Sequence, residues 1–195
     1  MREQTALGSR FEKALAYAAQ LHAGQVRKGA GTPYIAHLLS VTALVLEDGG
    51  TEDEAIAALL HDAIEDQGGD DTRREIRDRF GPRVVQIVDG CTDAETLPKP
   101  PWRERKEHFL ASLCDAPPEV LRVVVADKLH NARSLTRDYR QQGETLWSRF
   151  RGSQEGTLWY HRTAAEILVK RGVGRLAEEL QRVVEELEAL VNAEQ

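Results

Sequence analysis

Cysteine is scarce in this chain, two among 195 residues, and Cys91 and Cys114 form no CxxC-type pair. That excludes a thiolate zinc site and a disulfide framework and leaves two reduced structural thiols. No apolar run is long enough to span a bilayer, and the first residues, MREQTALGSRFEK, lack the apolar core of a signal peptide. A cytoplasmic protein with no membrane partner is the expectation. The net charge of −6 argues against nucleic acid as a partner. It does not exclude a small anionic ligand, because a pocket can be basic inside an acidic protein. Strand signals are nearly absent too. LRVVVA is the one β-branched run, and it continues a helical pattern.

Helical periodicity is what remains. FEKALAYAAQLHA puts Phe11, Leu15, Ala18 and Leu21 on one face. PYIAHLLSVTALVLEDGG opens at Pro33 and stops at Gly49-Gly50. TEDEAIAALLHDAIED starts with Thr51 and Glu54 in capping-box spacing, and Thr72 with Glu75 repeats that spacing before REIRDRFG. Further helices are expected over PRVVQIVDGCTD, WRERKEHFLASLCDA, PEVLRVVVADKLHNARSL, GTLWYHRTAAEILVKRG and VGRLAEELQRVVEELEALVNA. The fold class is therefore all-α, a single domain over 1–195 with a core at about 11–140 and C-terminal helices at about 154–193. The charged segment from Glu95 to Lys106 reads as a loop, and Trp147 and Trp159 as core residues.

One stretch resists a purely structural reading. ALLHDAIEDQ ends an apolar helix with His61, Asp62, Glu65 and Asp66. Negative charge at a helix C-terminus opposes the macrodipole, so local stability does not account for the carboxylates, whereas a cation would. Neutral nitrogen beside anionic oxygen suits Mn²⁺, Fe²⁺ or Mg²⁺ better than a thiolate-seeking ion. Further ligands are needed, and His37 in YIAHLLSV and Asp127 in VVVADKLHN both sit among apolar neighbours. Each has a plainer reading alone: His37 as a core histidine, Asp127 as the partner of Lys128, the HDAIED group as a solvated helix end. Together those readings are harder to hold.

His37, then His61-Asp62, then Asp127 resembles the H…HD…D pattern of the HD-domain metal-dependent phosphohydrolases. More narrowly, HxGQxRK with GTPYIxH, ALLHDxxED and ADKLHN resembles the hydrolase domain of the RelA/SpoT enzymes and its small stand-alone relatives. The resemblance implies an all-helical HD fold and removal of the 3′-diphosphate from guanosine 3′,5′-bis(diphosphate), ppGpp, with Mn²⁺ as the ion. It implies His37, His61, Asp62 and Asp127 as ligands, with Glu65 and Asp66 handling the attacking water. Arg27 and Lys28 would lie beside the nucleotide, Asn131 and Ser134 would contact it, and Tyr34 would pack nearby. Arg27 would then act on the base alone, and its removal would leave metal content unchanged. TLPKPPWRERKEHF resembles the TLPKxxRK stretch of the stand-alone relatives, with Lys99, Arg103 and Lys106 as candidate phosphate contacts. An HD phosphohydrolase for another nucleotide or phosphorylated metabolite, and a catalytically silent nucleotide-binding protein, are the competing readings. A homo-oligomer is left open.

Overall fold

Ten α-helices and one 3₁₀ segment make up the architecture among the described residues of the computed structural model, which are 5–27, 31–93 and 100–193. The helices are α1 (Ser9–Leu21), α2 (Ile35–Glu47), α3 (Glu52–Leu60), α4 (Ala63–Asp66), α5 (Asp70–Phe80), α6 (Pro82–Cys91), α7 (Trp102–Ser112), α8 (Pro118–Gln142), α9 (Ser153–Lys170) and α10 (Arg175–Ala193). The 3₁₀ segment, Gly143–Arg149, joins α8 to α9. The only extended pairing among these residues is an isolated bridge between Val26 and Pro33. None of the helices is long and apolar enough to cross a membrane.

The chain folds this way because α8 is a central apolar rod. It packs against α2, α3, α6, α9 and α10. Val120, Val123, Val124 and Leu129 are buried along it. The β-branched run LRVVVA is thus spent on helix packing, where burial outweighs propensity. α10 covers one side with Leu176, Leu180, Val184, Leu187 and Val191 at helical spacing. Its distal end closes a smaller apolar cluster around Tyr139 and Trp147, which confirms Trp147 as a core residue.

Local signals set several boundaries. Thr51 makes the expected capping box, its hydroxyl accepting from the Glu54 N–H while the Glu54 carboxylate accepts from the Thr51 N–H. α2 ends where Gly49 takes a φ of +84°, which side-chain-bearing residues rarely adopt. The second capping box does not form. Gly68 and Gly69, at φ of +132° and +59°, turn the chain and start α5 at Asp70. Thr72 therefore lies inside the helix and donates back to the Gln67 carbonyl, while Glu75 accepts from Tyr17. Of the expected loop from Glu95 to Lys106, residues 95–99 lie outside the described residues, and Trp102–Lys106 belongs to α7 instead.

Gly90 lies where α6 comes close to Val120 of α8. A Cβ there would lie 2.7 and 2.8 Å from the two Val120 methyls. Valine has one preferred χ1 in a helix and cannot turn both methyls away. Gly90→Ala should thus cost about 1–3 kcal/mol of overpacking, against a helix-propensity gain of about 1 kcal/mol. A net fall in the urea midpoint is expected; an unchanged or higher midpoint would show that the two helices separate freely.

Candidate active site

Three parts of the chain deliver the expected ligand residues to one point. His37 lies in the first turn of α2, His61 and Asp62 in the break between α3 and α4, and Asp127 in the middle of α8. That break departs from the single continuous helix read from ALLHDAIEDQ. The backbone stays near helical at His61 and Asp62, but the helix stops at Leu60 and resumes at Ala63. His61 Nε2 is 3.0 Å from Asp62 Oδ2 and 3.6 Å from Asp127 Oδ1. His37 Nε2 is 3.2 Å from Asp127 Oδ1 and 3.7 Å from Asp62 Oδ2. One candidate donor atom each from His37, His61 and Asp127 lies within 4.8 Å of the others. All three residues are buried.

The hydrogen bonds around this cluster turn the Nε2 atoms inward. His61 Nδ1 faces the Ala58 carbonyl at 2.8 Å and must donate to it, which leaves Nε2 with the lone pair. That Nε2 is buried and makes no hydrogen bond of its own. A buried orphan nitrogen is costly unless something else takes its lone pair. Asp62 receives the Tyr34 hydroxyl at 2.5 Å, so Tyr34 does pack beside the ligand set, braced through a carboxylate. Asp127 serves two sides. Its Oδ2 accepts from Lys128 Nζ at 2.7 Å, while Oδ1 faces the two imidazoles and accepts from Asn131 Nδ2 at 2.6 Å.

The charges respond to this crowding. Burial opposes ionisation of Asp127, yet the Lys128 ammonium and the two imidazoles hold its carboxyl well below the usual range. Asp62 is likewise held down, against burial, by His61. Burial disfavours a charged His61, but Asp62 and Asp127 outweigh it and raise its pKa well above the ordinary value. Burial wins at His37, which is shifted down. The two carboxylates thus favour positive charge at this point, which a divalent ion would supply.

His37, Asp62 and Asp127 line an open cleft of about 930 Å³, with His61 buried outside its lining. Glu65 and Asp66, on α4, line it one turn beyond the ligands. Gln25 Nε2 donates to Asp66 Oδ2 at 2.8 Å, and Gln67 Nε2 donates to Gln25 Oε1 at 2.6 Å, so Asp66 is oriented from behind. Asn131 and Ser134 follow Asp127 on the same α8 face, at i+4 and then i+3, and also line the cleft. Arg27 reaches this face from the loop before α2, with Nη2 donating to Asn131 Oδ1 at 2.7 Å. Lys28 and Lys99 lie outside the described residues.

Two expectations about the basic residues separate here. Lys106 lines the cleft and pairs with Asp93. Arg103, three residues back on α7, does not: its guanidinium lies 3.2 Å from the Trp159 ring centroid and its Nε donates to Glu107. The phosphate-contact reading of Arg103 is thus corrected by the helix face it occupies. Further lining comes from 149–161, with Arg149, Arg151, Tyr160 and His161 on the cleft. Both cysteines are free thiols; Cys91 lines the cleft, its thiol shifted up by burial. His130 was missed altogether. It lies between the last ligand and Asn131, and it hydrogen-bonds to His37 at 2.8 Å between their Nδ1 atoms.

The sequence profile of the HD domain matches residues 14–158, a span that carries the His37, His61, Asp62 and Asp127 cluster and ends before Tyr160 and His161. The chain belongs to the HD-domain family. Among HD-domain relatives, guanosine-3′,5′-bis(diphosphate) 3′-pyrophosphohydrolase MESH1 of Mus musculus is 34% identical over 174 residues, covering 88% of each chain. The enzyme of the same name from Homo sapiens is 40% identical over 124 residues, 62% of this chain and 66% of that one. A solved structure of a metazoan ortholog of SpoT, described as hydrolysing ppGpp, superposes with a TM-score of 0.75 at 26% identity, covering 94% of this chain and 96% of the other. The all-α expectation is borne out as an HD-domain helical bundle. Such a fold calls for a divalent metal ion, and the cluster of His37, His61 and Asp127 fits one by its donor set and by the orphan Nε2.

Proposed function

We propose that this chain is a metal-dependent hydrolase that removes the 3′-diphosphate of ppGpp as pyrophosphate, with Mn²⁺ held by His37, His61, Asp62 and Asp127. The observation that carries this reading is the convergence of two imidazole Nε2 atoms and two carboxylates, at 3.0–3.7 Å, with three of the four residues, His37, Asp62 and Asp127, lining a nucleotide-sized cleft. The names borne by the relatives support the substrate.

When bound, the divalent ion supplies Lewis-acid polarisation of a phosphoryl oxygen and acidifies water. The remaining work falls to the chain. Glu65, on the cleft wall beyond the ligands, takes the proton of the attacking water. Asp66, fixed by Gln25, orients that water and shares the proton. Arg27 offers a planar guanidinium to the base and Lys28 a point charge to the phosphates. Asn131 and Ser134 hold the ribose side. Lys106, Arg149 and Arg151 offset the phosphate charge as it redistributes toward the leaving pyrophosphate. Tyr160 and His161 enclose the cleft from the α9 side, where both are buried.

A Mn²⁺-supplemented screen that separates pyrophosphate from orthophosphate release across guanosine and adenosine nucleotides tests the proposal. Pyrophosphate from ppGpp is the expected dominant product. Orthophosphate released fastest from another nucleotide would reassign the substrate within the same family. Nucleotide binding without turnover would make the protein a silent binder.

A further inference from the structure

We propose that His130 is a positioning residue for the metal centre, and that Arg27 acts through it and through Asn131 on two of the ligands at once. The inference rests on the metal reading of the cluster and extends it to residues that touch no ion.

A guanidinium can only donate. Arg27 Nη1 lies 3.1 Å from His130 Nδ1, so that nitrogen must be the acceptor. His37 Nδ1 lies 2.8 Å from the same atom, and with His130 Nδ1 unprotonated the proton in this contact belongs to His37. The His130 lone pair is shared between the two donors, the shorter contact being the one to His37. A proton fixed on His37 Nδ1 leaves its Nε2 with the lone pair, and Nε2 is the atom that faces Asp127 and Asp62. Metal-binding imidazoles need that arrangement, usually set by a carboxylate or carbonyl. His61 obtains it from the Ala58 carbonyl. His37 obtains it from another histidine, which Arg27 holds as an acceptor.

The second arm of the same guanidinium runs in parallel. Arg27 Nη2 donates to Asn131 Oδ1 at 2.7 Å, and Asn131 Nδ2 donates to Asp127 Oδ1 at 2.6 Å. With its oxygen engaged by Arg27, the Asn131 amide has its nitrogen left for Asp127, so its orientation is fixed. His130 and Asn131 are adjacent on α8, and the planar fork of Arg27 spans both. Its two arms end on ligands from different helices, His37 on α2 and Asp127 on α8. Arg27 is therefore more than a surface for the base, and the metal site is not independent of it.

The test is calorimetric Mn²⁺ binding to the metal-free full chain, with no nucleotide present, alongside a melting curve for each variant. His130→Leu keeps bulk but offers no acceptor, and it should weaken Mn²⁺ binding by about tenfold or more, the range for partners that orient metal ligands. His130→Asn places an amide oxygen near the lost Nδ1 and should recover most of that affinity. Arg27→Ala should weaken Mn²⁺ binding severalfold, and adding it to His130→Leu should cost less than the sum of the two. Unchanged affinity in a folded His130→Leu overturns the proposal. So does a His130→Asn as poor as His130→Leu, because a loss that the acceptor does not rescue is one of packing. Should His130→Leu fail to fold, Arg27→Ala decides: full Mn²⁺ affinity there overturns the proposal. Failure of the unaltered chain to bind Mn²⁺ would instead overturn the metal reading itself.

Discussion

Asp127→Ala is expected to remove metal binding and turnover together. Asp127 faces both imidazole Nε2 atoms, at 3.2 and 3.6 Å, through one oxygen, and pairs with Lys128 through the other. Alanine deletes a ligand and also leaves a nearly buried ammonium without its carboxylate. Breaking such a pair costs about 3–5 kcal/mol. Here part of that cost is offset, because Lys128 Nζ also lies 5.2 Å from the Phe109 ring centroid and 5.4 Å from that of Tyr160. The melting temperature should fall as well, and that fall alone would explain lost activity. Asp127→Asn separates the effects, since it keeps the shape and one carbonyl oxygen but gives up the negative charge. The expected result is a folded protein whose bound metal is substoichiometric and whose melting temperature no longer rises with Mn²⁺. The unaltered chain should gain about 2.7 kcal/mol at a Mn²⁺ concentration one hundred times the dissociation constant. Stoichiometric metal in Asp127→Asn, or in a folded Asp127→Ala, would remove Asp127 from the ligand set.

The way Asp127 divides its oxygens shows how the sequence could support two readings. VVVADKLHN suggested either a ligand or the partner of Lys128; the Lys128 pair forms, and it leaves the other oxygen facing the imidazoles, because a carboxylate has two oxygens and the helix turns them in different directions. Elements with strong local signals were legible: the Thr51 capping box, the Gly49 stop and α8 as far as Leu135, although that helix runs on to Gln142. Those are short-range effects, set by neighbours in the chain. The failures came where a longer-range contact decided. Thr72 and Glu75 have the spacing of a cap, but Gly68-Gly69 turned the chain earlier, and Tyr17 of α1 claimed the glutamate. Arg103 and Lys106 sit in one charged run, and only the packing of α7 against α9 places one on Trp159 and the other in the cleft. His130 had a signal that went unused, since a residue three positions after a ligand on a helix lies close to the ligand's own face. Its partner on α2 is far away in sequence, and nothing local announces a hydrogen bond between two imidazoles.

Glu65→Gln is expected to lower kcat by about 10²–10⁴-fold, the usual worth of a positioned general base, while the metal stays bound. The four polar groups of HDAIED divide into two pairs. His61 and Asp62 lie at the break between α3 and α4 and face the two other ligands. Glu65 and Asp66 sit on α4, on the cleft wall beyond that break. His61 and Asp62 can therefore hold an ion while Glu65 and Asp66 address the water and phosphate outside it. Glutamine keeps the length and the hydrogen-bonding shape of Glu65 but has no basic oxygen. Substrate affinity should change little, because Glu65 is assigned no contact with base or ribose. Asp66 is exposed and takes a hydrogen bond from Gln25 at 2.8 Å, so one of its oxygens is committed to orientation. Asp66→Asn should then lose activity more mildly than Glu65→Gln, and Gln25→Ala should follow Asp66→Asn in direction. Pre-steady-state turnover and metal content measured on the same samples distinguish the outcomes. Near-normal kcat in Glu65→Gln would make that carboxylate a bystander at a helix end. Loss of metal along with activity would make it a ligand, and the proton would then pass to Asp66 or to the substrate's own phosphate.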